Sequence, residues 1–289
     1  MQCLAEEAAL RRLSALSPAK INLFFRILHK REDGFHEVVS LYQAINLFDR
    51  IDMQRASVDR FTCNEGSLET QDNLILRAVQ MFREKTKWQE PLHIHLDKHI
   101  PIEAGLGGGS SNAATALLML CKLANIQLSL QELVLLGREL GSDVPFFFTK
   151  GTALGRGRGD ELEEMEALPL PSLWIVKPQF GLSTKAVYAA FKLDALSYRD
   201  LSHDLASYKQ GNVVYYNDLE QAAFTIAPEL HRIYVALQTS GFRHVVLSGS
   251  GTAFFCIGDV DKCYPALTYT AVQPIRRKED LLWTTVTSS

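Results

Sequence analysis

The chain has 289 residues, 47% hydrophobic and 22% charged, with a formal net charge of −3, enough apolar material for one large domain or two ordinary ones. That balance excludes the broad basic face that nucleic acid or an anionic membrane would need, though local basic pockets stay open. Cys3, Cys63, Cys121, Cys256 and Cys263 are scattered with no C-x-x-C pair, and no apolar run approaches ~18 residues, so the pattern predicts reduced thiols in a cytoplasmic protein without signal peptide or membrane span.

In chain order, residues 4–15 read as a short helical extension. "AKINLFFRIL" (19–28) alternates, with Ala19, Ile21, Leu23, Phe25 and Ile27 on one face and Lys20, Asn22, Phe24 and Arg26 on the other, which predicts a strand. Asp33-Gly34 marks a turn, and "VVSLYQAINL", "RIDMQRA" and "LHIHLDK" (92–98) read as further strands. Between the last two, Leu74, Ile75, Ala78, Val79 and Phe82 recur at helical spacing, with Asp72 or Asn73 as N-cap and Arg83, Lys85 and Lys87 near the C-terminal end. A second helix follows the glycine run, its stripe formed by Ala113, Ala114, Leu117, Leu118, Cys121 and Ala124. A third, 129–141, opens with a capping box (Ser129, Glu132) and ends at Gly141. Asp143 then stands between a helix end and an apolar strand.

The texture changes near residue 155, where "GRGRGD" (155–160) precedes an acidic patch and Pro169 and Pro171; a hairpin turn is expected there, at a domain boundary. We therefore divide the chain into 1–155, nucleotide-binding, and 156–289. The second part should hold a strand at 173–177, a helix near 183–192, helices at 217–225 and 228–239, and two strands joined across Ser248-Gly249-Ser250-Gly251. Strands and helices mix without strict βαβ alternation, which favours an α+β class.

The chemistry concentrates in "PIEAGLGGGSSN" (101–112). Glycines directly before a helix let several backbone amides converge on one anion, and serines add hydroxyl donors or an oxygen ligand for phosphate-bound Mg²⁺. A linker would be Gly/Ser-rich on both sides, whereas this run follows a strand and abuts an apolar helix. No lysine follows it as in a P-loop, and the spacing of Gly105, Gly107 and Ser110 fits the dinucleotide fingerprint poorly. Lys20 precedes an apolar run, and Asp143 sits among groups that suggest partial burial; a Lys–Asp pair would satisfy both charges.

"PIEAGLGGGSSNAA" closely resembles the P-x-x-x-G-L-G-S/G-S-S motif of the GHMP small-molecule kinases. "SPAKINLFFRILHKREDGFHEV", "LGSDVPFFFTKGTALGRGRGDEL" and "LSGSGTAFF" are similar, in the same order, to signatures of the 4-diphosphocytidyl-2-C-methyl-D-erythritol kinase family, so the resemblance spans about residues 17–257. It implies a two-domain α+β fold with the active site in the interdomain cleft, ATP and Mg²⁺ as cofactors, and Lys20 and Asp143 as the catalytic pair. It carries ATP binding onto Lys98, Pro101, Ile102, Glu103, Ala104, Gly105, Leu106, Gly107, Gly108, Gly109, Ser110 and Ser111. No protein ligand of the metal is implied apart from Ser110, through Mg-ATP. Acceptor binding falls on Asn22, on Phe35 and His36 as cytosine reader, on Tyr188 as the second side of a cytosine sandwich, and on Ser248 and Gly249. The implied reaction is phosphorylation of the 2-hydroxyl of 4-(cytidine 5′-diphospho)-2-C-methyl-D-erythritol, in the non-mevalonate isoprenoid pathway, by a cytoplasmic monomer or weak homodimer. Glu103 departs from the pattern: an acid beside triphosphate is unfavourable unless it points outward. Another small-molecule kinase of the superfamily, or a nucleotide-binding regulator without catalysis, are the alternatives. His93, His95 and His99 cluster without matching ligand spacing and are not read as a metal site.

Overall fold

In the computed structural model, which describes residues 12–196, 199–277 and 285–286, the first alternating segment is longer than expected. β1 spans Leu13–Lys30, and the two strands expected after Gly34 are one, β2 (His36–Arg55). They pair antiparallel over most of their length, with irregularities between Pro18 and Ala19, Asn22 and Phe24, and Ile27 and His29. The stretch Asn46–Asp49 has the composition of a break, yet its polar groups are taken up by distant backbone. Asn46 Oδ1 accepts from Gln273 N at 2.7 Å, and Asp49 Oδ1 accepts from His99 N and Ile100 N, each at 2.7 Å. A turn is therefore not needed to satisfy them.

β3 (Arg60–Cys63) runs parallel to β4 (Leu92–Asp97), which pairs with β2. The hairpin β5 (Thr152–Arg156) and β6 (Glu161–Glu164) extends β2 on its other end. "GRGRGD" is its turn, with Gly157 and Gly159 at φ 67° and 94°. Three helices, α1 (Leu74–Thr86), α2 (Gly108–Ala124) and α3 (Leu130–Leu140), share a core with this sheet that includes Phe82, Leu117, Met53 and Phe146–Phe148. Asn73 caps α1 by accepting from Ile75 N, and both halves of the Ser129–Glu132 capping box form on α3. Gly141 ends α3 in extended rather than left-handed backbone, at φ 169°. The strand expected after Asp143 is instead a 3-10 turn, Pro145–Phe148, because Pro145 has no N–H to give a ladder. The helical extension expected at 4–15 does not hold at its end, since Leu13–Ala15 belong to β1; residues 4–11 lie outside those described.

From β7 (Leu173–Pro178) the chain builds a second sheet, in the order β11 (Leu267–Val272), β7, β10 (Phe254–Ile257), β9 (His244–Leu247). Its helices are α4 (Thr184–Ala190), α5 (Leu201–Lys209), α6 (Glu220–Ile226) and α7 (Pro228–Gln238). α5, β3 and β11 have too little apolar periodicity to be read from sequence; α5 buries only Asp204 and Tyr208. α6 starts later than expected because Tyr216–Asn217 form a short strand, β8, parallel to β1 at Phe24–Phe25. A short β12 (Thr285–Val286) pairs with the start of β1. The class is α+β, as expected. Among the described residues no helix is long and apolar enough to cross a membrane.

Candidate active site

The glycine loop carries the chain from β4 to the start of α2. Gly107 is the N-cap of α2 at φ 68° and supplies no side-chain cap, so the first-turn amides of Gly108, Gly109 and Ser110 face out with the positive end of a 17-residue helix behind them. Not every glycine serves that purpose. A Cβ on Gly105 would fall 1.8 Å from Ser248 O, and one on Gly251 would fall 2.0 Å from Gly105 N. These two glycines let the loop lie against the β9–β10 turn, to which it is tied by Ser248 Oγ–Gly105 O at 3.1 Å and Ala253 N–Ala104 O at 3.1 Å. Gly107 clears space for Lys20, whose Cγ would meet its Cβ at 2.9 Å.

Lys20 is 3% exposed. Its Nζ donates to Asn22 Oδ1 at 2.8 Å and pairs with Asp143 Oδ2 at 3.3 Å. Asn22 is oriented in turn, donating from Nδ2 to Ser40 Oγ at 2.7 Å, while Ser40 donates to Phe24 O at 2.9 Å. The ammonium also lies 5.3 Å from the Tyr42 ring centroid. Burial, with the Asp143 charge adding to it, pushes the Tyr42 hydroxyl far above its ordinary pKa; it stays protonated, and the Lys20 charge is left to Asp143. Asp143 keeps a third of its side chain exposed to the cleft, which is where a group that must meet a second molecule has to stand.

His36 stacks on Tyr188 at 5.3 Å and meets the edge of Phe191 at 5.5 Å. Burial and the Lys30 charge lower the His36 pKa, keeping the imidazole neutral with one donor and one acceptor nitrogen. Phe35 is half exposed beside it, with the Arg158 guanidinium 4.8 Å from its ring. The glycine loop, the Lys20–Asp143 pair and Phe35, His36 and Tyr188 line one cleft of about 1070 Å³. Asn22, Ser111 and Ser248 are buried behind that lining.

Over residues 73–151 the chain matches the family of GHMP kinases, N terminal domain. It is 49% identical to the 4-diphosphocytidyl-2-C-methyl-D-erythritol kinase of Protochlamydia amoebophila (strain UWE25) over 243 residues, 84% of this chain and 83% of that one. The chain belongs to the 4-diphosphocytidyl-2-C-methyl-D-erythritol kinase family. A relative of the same name from Bacillus cytotoxicus is 36% identical over 254 residues, covering 84% of this chain and 87% of its own. A crystal structure of 4-(cytidine 5'-diphospho)-2C-methyl-D-erythritol kinase superposes with a TM-score of 0.75 at 31% identity, over 90% of this chain and 99% of that one. A mevalonate kinase structure, at 15% identity and TM-score 0.67, covers 91% and 99% and shares the fold.

Two residues of this kinase sit differently from a simple phosphate-loop picture. Lys98, 6% exposed along its side chain, donates to Asp49 Oδ2 at 2.8 Å and to the Ile100 carbonyl; burial lowers its pKa while Asp49 opposes the shift. Asp49, fully buried, also takes Asn112 Nδ2 at 2.9 Å, and Asn112 continues to Ser17 Oγ at 2.9 Å. This network pins the start of α2 to β1 and β2, and Gly108 lies over it, since its Cβ would be 3.0 Å from Lys98 Nζ. Glu103 lines the cleft with the rest of the loop, but its carboxylate is turned to the segment after β7: it adopts left-handed backbone at φ 54°, and a Cβ on Gly181 would meet its Oε2 at 2.0 Å. Its charge acts on Lys177, opposing the pKa drop that burial imposes there. The departure at Glu103 thus belongs to packing between the loop and the segment after β7. Tyr42, Arg158, Asp49 and Asn112 were missed by sequence reasoning; Asn112, at the end of the glycine run, and Arg158, in a turn full of glycines, carried a local signal.

Proposed function

We propose that this kinase transfers the γ-phosphoryl group of ATP to the 2-hydroxyl of 4-(cytidine 5′-diphospho)-2-C-methyl-D-erythritol, giving the 2-phosphate and ADP in the non-mevalonate isoprenoid pathway. The observation that carries this is the placement of the Lys20–Asp143 pair, at 3.3 Å, in one cleft with the amide-lined helix start and the His36–Tyr188 stack. Asp143 accepts or orients the proton of the attacking hydroxyl. Lys20 holds the carboxylate ionised and stabilises charge between nucleophile and phosphoryl group, with Asn22 fixing its ammonium. Phosphoryl transfer depends mostly on such positioning and electrostatics. His36 offers hydrogen bonds to the cytosine edge, and the rings of Phe35 and Tyr188 offer stacking faces.

Residues 101–110 supply the nucleotide site, with Lys98 beneath its first turn and Ser111, buried against Ser17 Oγ at 2.8 Å, supporting it from behind. Mg²⁺ bound with the nucleotide supplies neutralisation of phosphate charge, and Ser110, an oxygen donor on the first turn of α2 lining the cleft, fits a hard cation; Glu103, turned to Gly181, is outside that donor set. The division into a nucleotide-binding part, 1–155, and a second part, 156–289, belongs to the same proposal, supported by the change of sheet between β6 and β7. So does a cytoplasmic monomer or weak homodimer, with which the free thiols of Cys63, Cys121, Cys256 and Cys263 agree.

The test is release of ADP from Mg·ATP with a panel of alcohols. Turnover is expected with the cytidyl compound; turnover with mevalonate or homoserine and none with the cytidyl compound overturns the assignment.

A further inference from the structure

The second sheet meets the cleft through the Ser248–Gly251 turn, and two polar side chains, Asn217 and Glu220, hold that turn and its entry from behind. Asn217 is 5% exposed. Its Nδ2 donates to Leu247 O at 2.8 Å and to Gly249 O at 2.7 Å, and its Oδ1 accepts from Leu219 N at 2.9 Å. Glu220 accepts from Leu247 N at 2.9 Å. Asp218 grips the other side: it accepts from Ile27 N at 2.9 Å, pairs with Arg26 at 3.2 Å, and donates its own N–H to Phe25 O at 2.9 Å. One short segment therefore links the strand that carries Lys20 and Asn22 to the turn above them. Apart from Arg26 the partners are backbone groups, so these side chains set backbone conformation.

The conformation they set has a chemical result. In a trans peptide the carbonyl and the N–H point to opposite sides, and the described residues contain no cis bond. With the Gly249 carbonyl drawn back to Asn217, the Ser250 N–H points away from it. Gly249 and Ser250 both line the cleft. There the Cβ position of Gly249 lies 3.3 Å from Asn22 Oδ1 and 3.6 Å from Lys20 Nζ. The Ser250 N–H donates to no other described residue.

We propose that Asn217 is a positioning residue for phosphoryl transfer, locking the Gly249–Ser250 peptide so that its N–H donates to an anionic phosphate oxygen bound beside Lys20. This rests on the kinase reading above. Two phosphates could occupy the position, the transferred group of ATP or the diphosphate of the acceptor.

The test has two arms. In wild-type protein labelled with ¹⁵N-serine, the Ser250 amide proton should move downfield on titration with a non-hydrolysable ATP analogue if the transferred group is the partner, or with cytidine 5′-diphosphate if the acceptor is. In Asn217→Ala and Asn217→Asp, kept folded well below their melting temperatures, loss of the aligned donor should lower kcat by about 100-fold with KM for ATP nearly unchanged in the first case. In the second case it should raise the acceptor KM about tenfold or more with kcat held. If neither ligand moves the Ser250 resonance while wild type turns over, the proposal is wrong and the kinase reading stands. Folded Asn217 variants with wild-type kcat and both KM values also overturn it. Wild-type protein that does not phosphorylate the cytidyl compound instead removes the reading on which it rests.

Discussion

Gly105→Ala separates the two reasons a glycine can be required in the loop. The residue sits at φ 77°, and an added Cβ would be 1.8 Å from the carbonyl oxygen of Ser248 and 2.9 Å from Gly251 N. Left-handed backbone alone costs an L-residue about 1–2 kcal/mol. The contact costs more, because its partner is backbone and cannot rotate away. To reach even 3.0 Å the loop and the β9–β10 turn must separate by at least about 1.2 Å. That would break the bonds Ser248 Oγ–Gly105 O, Thr252 N–Glu103 O and Ala253 N–Ala104 O, each worth about 1 kcal/mol. We expect a loss of about 4–5 kcal/mol in guanidinium unfolding. A shift of ~1 Å at the amides of α2 should also lower kcat/KM for ATP by about 100-fold. Gly34→Ala is the control: it has φ 84° and nothing within 4 Å of the Cβ position, so it should lose only the strain of about 1–2 kcal/mol. Gly105→Ala as stable as Gly34→Ala, with kcat/KM for ATP within about threefold of wild type, would refute this account.

Asp143→Asn keeps the size of the side chain and removes its basicity; kcat should fall by about 10²–10⁴-fold with equilibrium ATP binding retained, and near-normal kcat would remove the base role. His36 has a lowered pKa in the fold, so the unfolded chain takes its proton first: stability from the neutral ring is complete above the ordinary imidazole value and is lost as pH falls through it towards the folded pKa. Acceptor KM should accordingly stay level through the ordinary imidazole value of about 6.5 and rise only further down, as pH falls through the lowered folded pKa, a rise absent in His36→Gln and absent from KM for ATP. Asp49→Ala strands the buried Lys98 ammonium and two backbone N–H groups, and should cost about 3–5 kcal/mol in denaturant unfolding, whereas a loss under about 1 kcal/mol would show that the network is not stabilising.

Much of this protein was legible because its signals are local. A glycine run against an apolar helix, a Ser–Glu capping box, Asn73 before Leu74, and glycines in "GRGRGD" each act through backbone a few residues away, and each formed as read. Resemblance across four motifs in order supplied Lys20, Asp143 and His36, Tyr188 was a candidate from outside them, and the fold brings all four to one cleft. Apart from local changes such as the 3-10 turn at Pro145, the readings that changed depend on partners far along the chain. β2 runs unbroken through Asn46 and Asp49 because residues 273 and 99–100 take up those side chains. Lys98 is held by Asp49, and the Glu103 carboxylate is carried away from the loop to Gly181 by packing against the second half. Asn217 lies in no glycine or catalytic motif, and its two carbonyl partners are thirty or more residues downstream. Residue type and spacing determined which groups could meet phosphate, base and hydroxyl. Which buried polar atom pairs with which, and so which groups remain to face a substrate, was decided by the tertiary structure, because a desolvated donor or acceptor takes whatever partner the fold brings within reach.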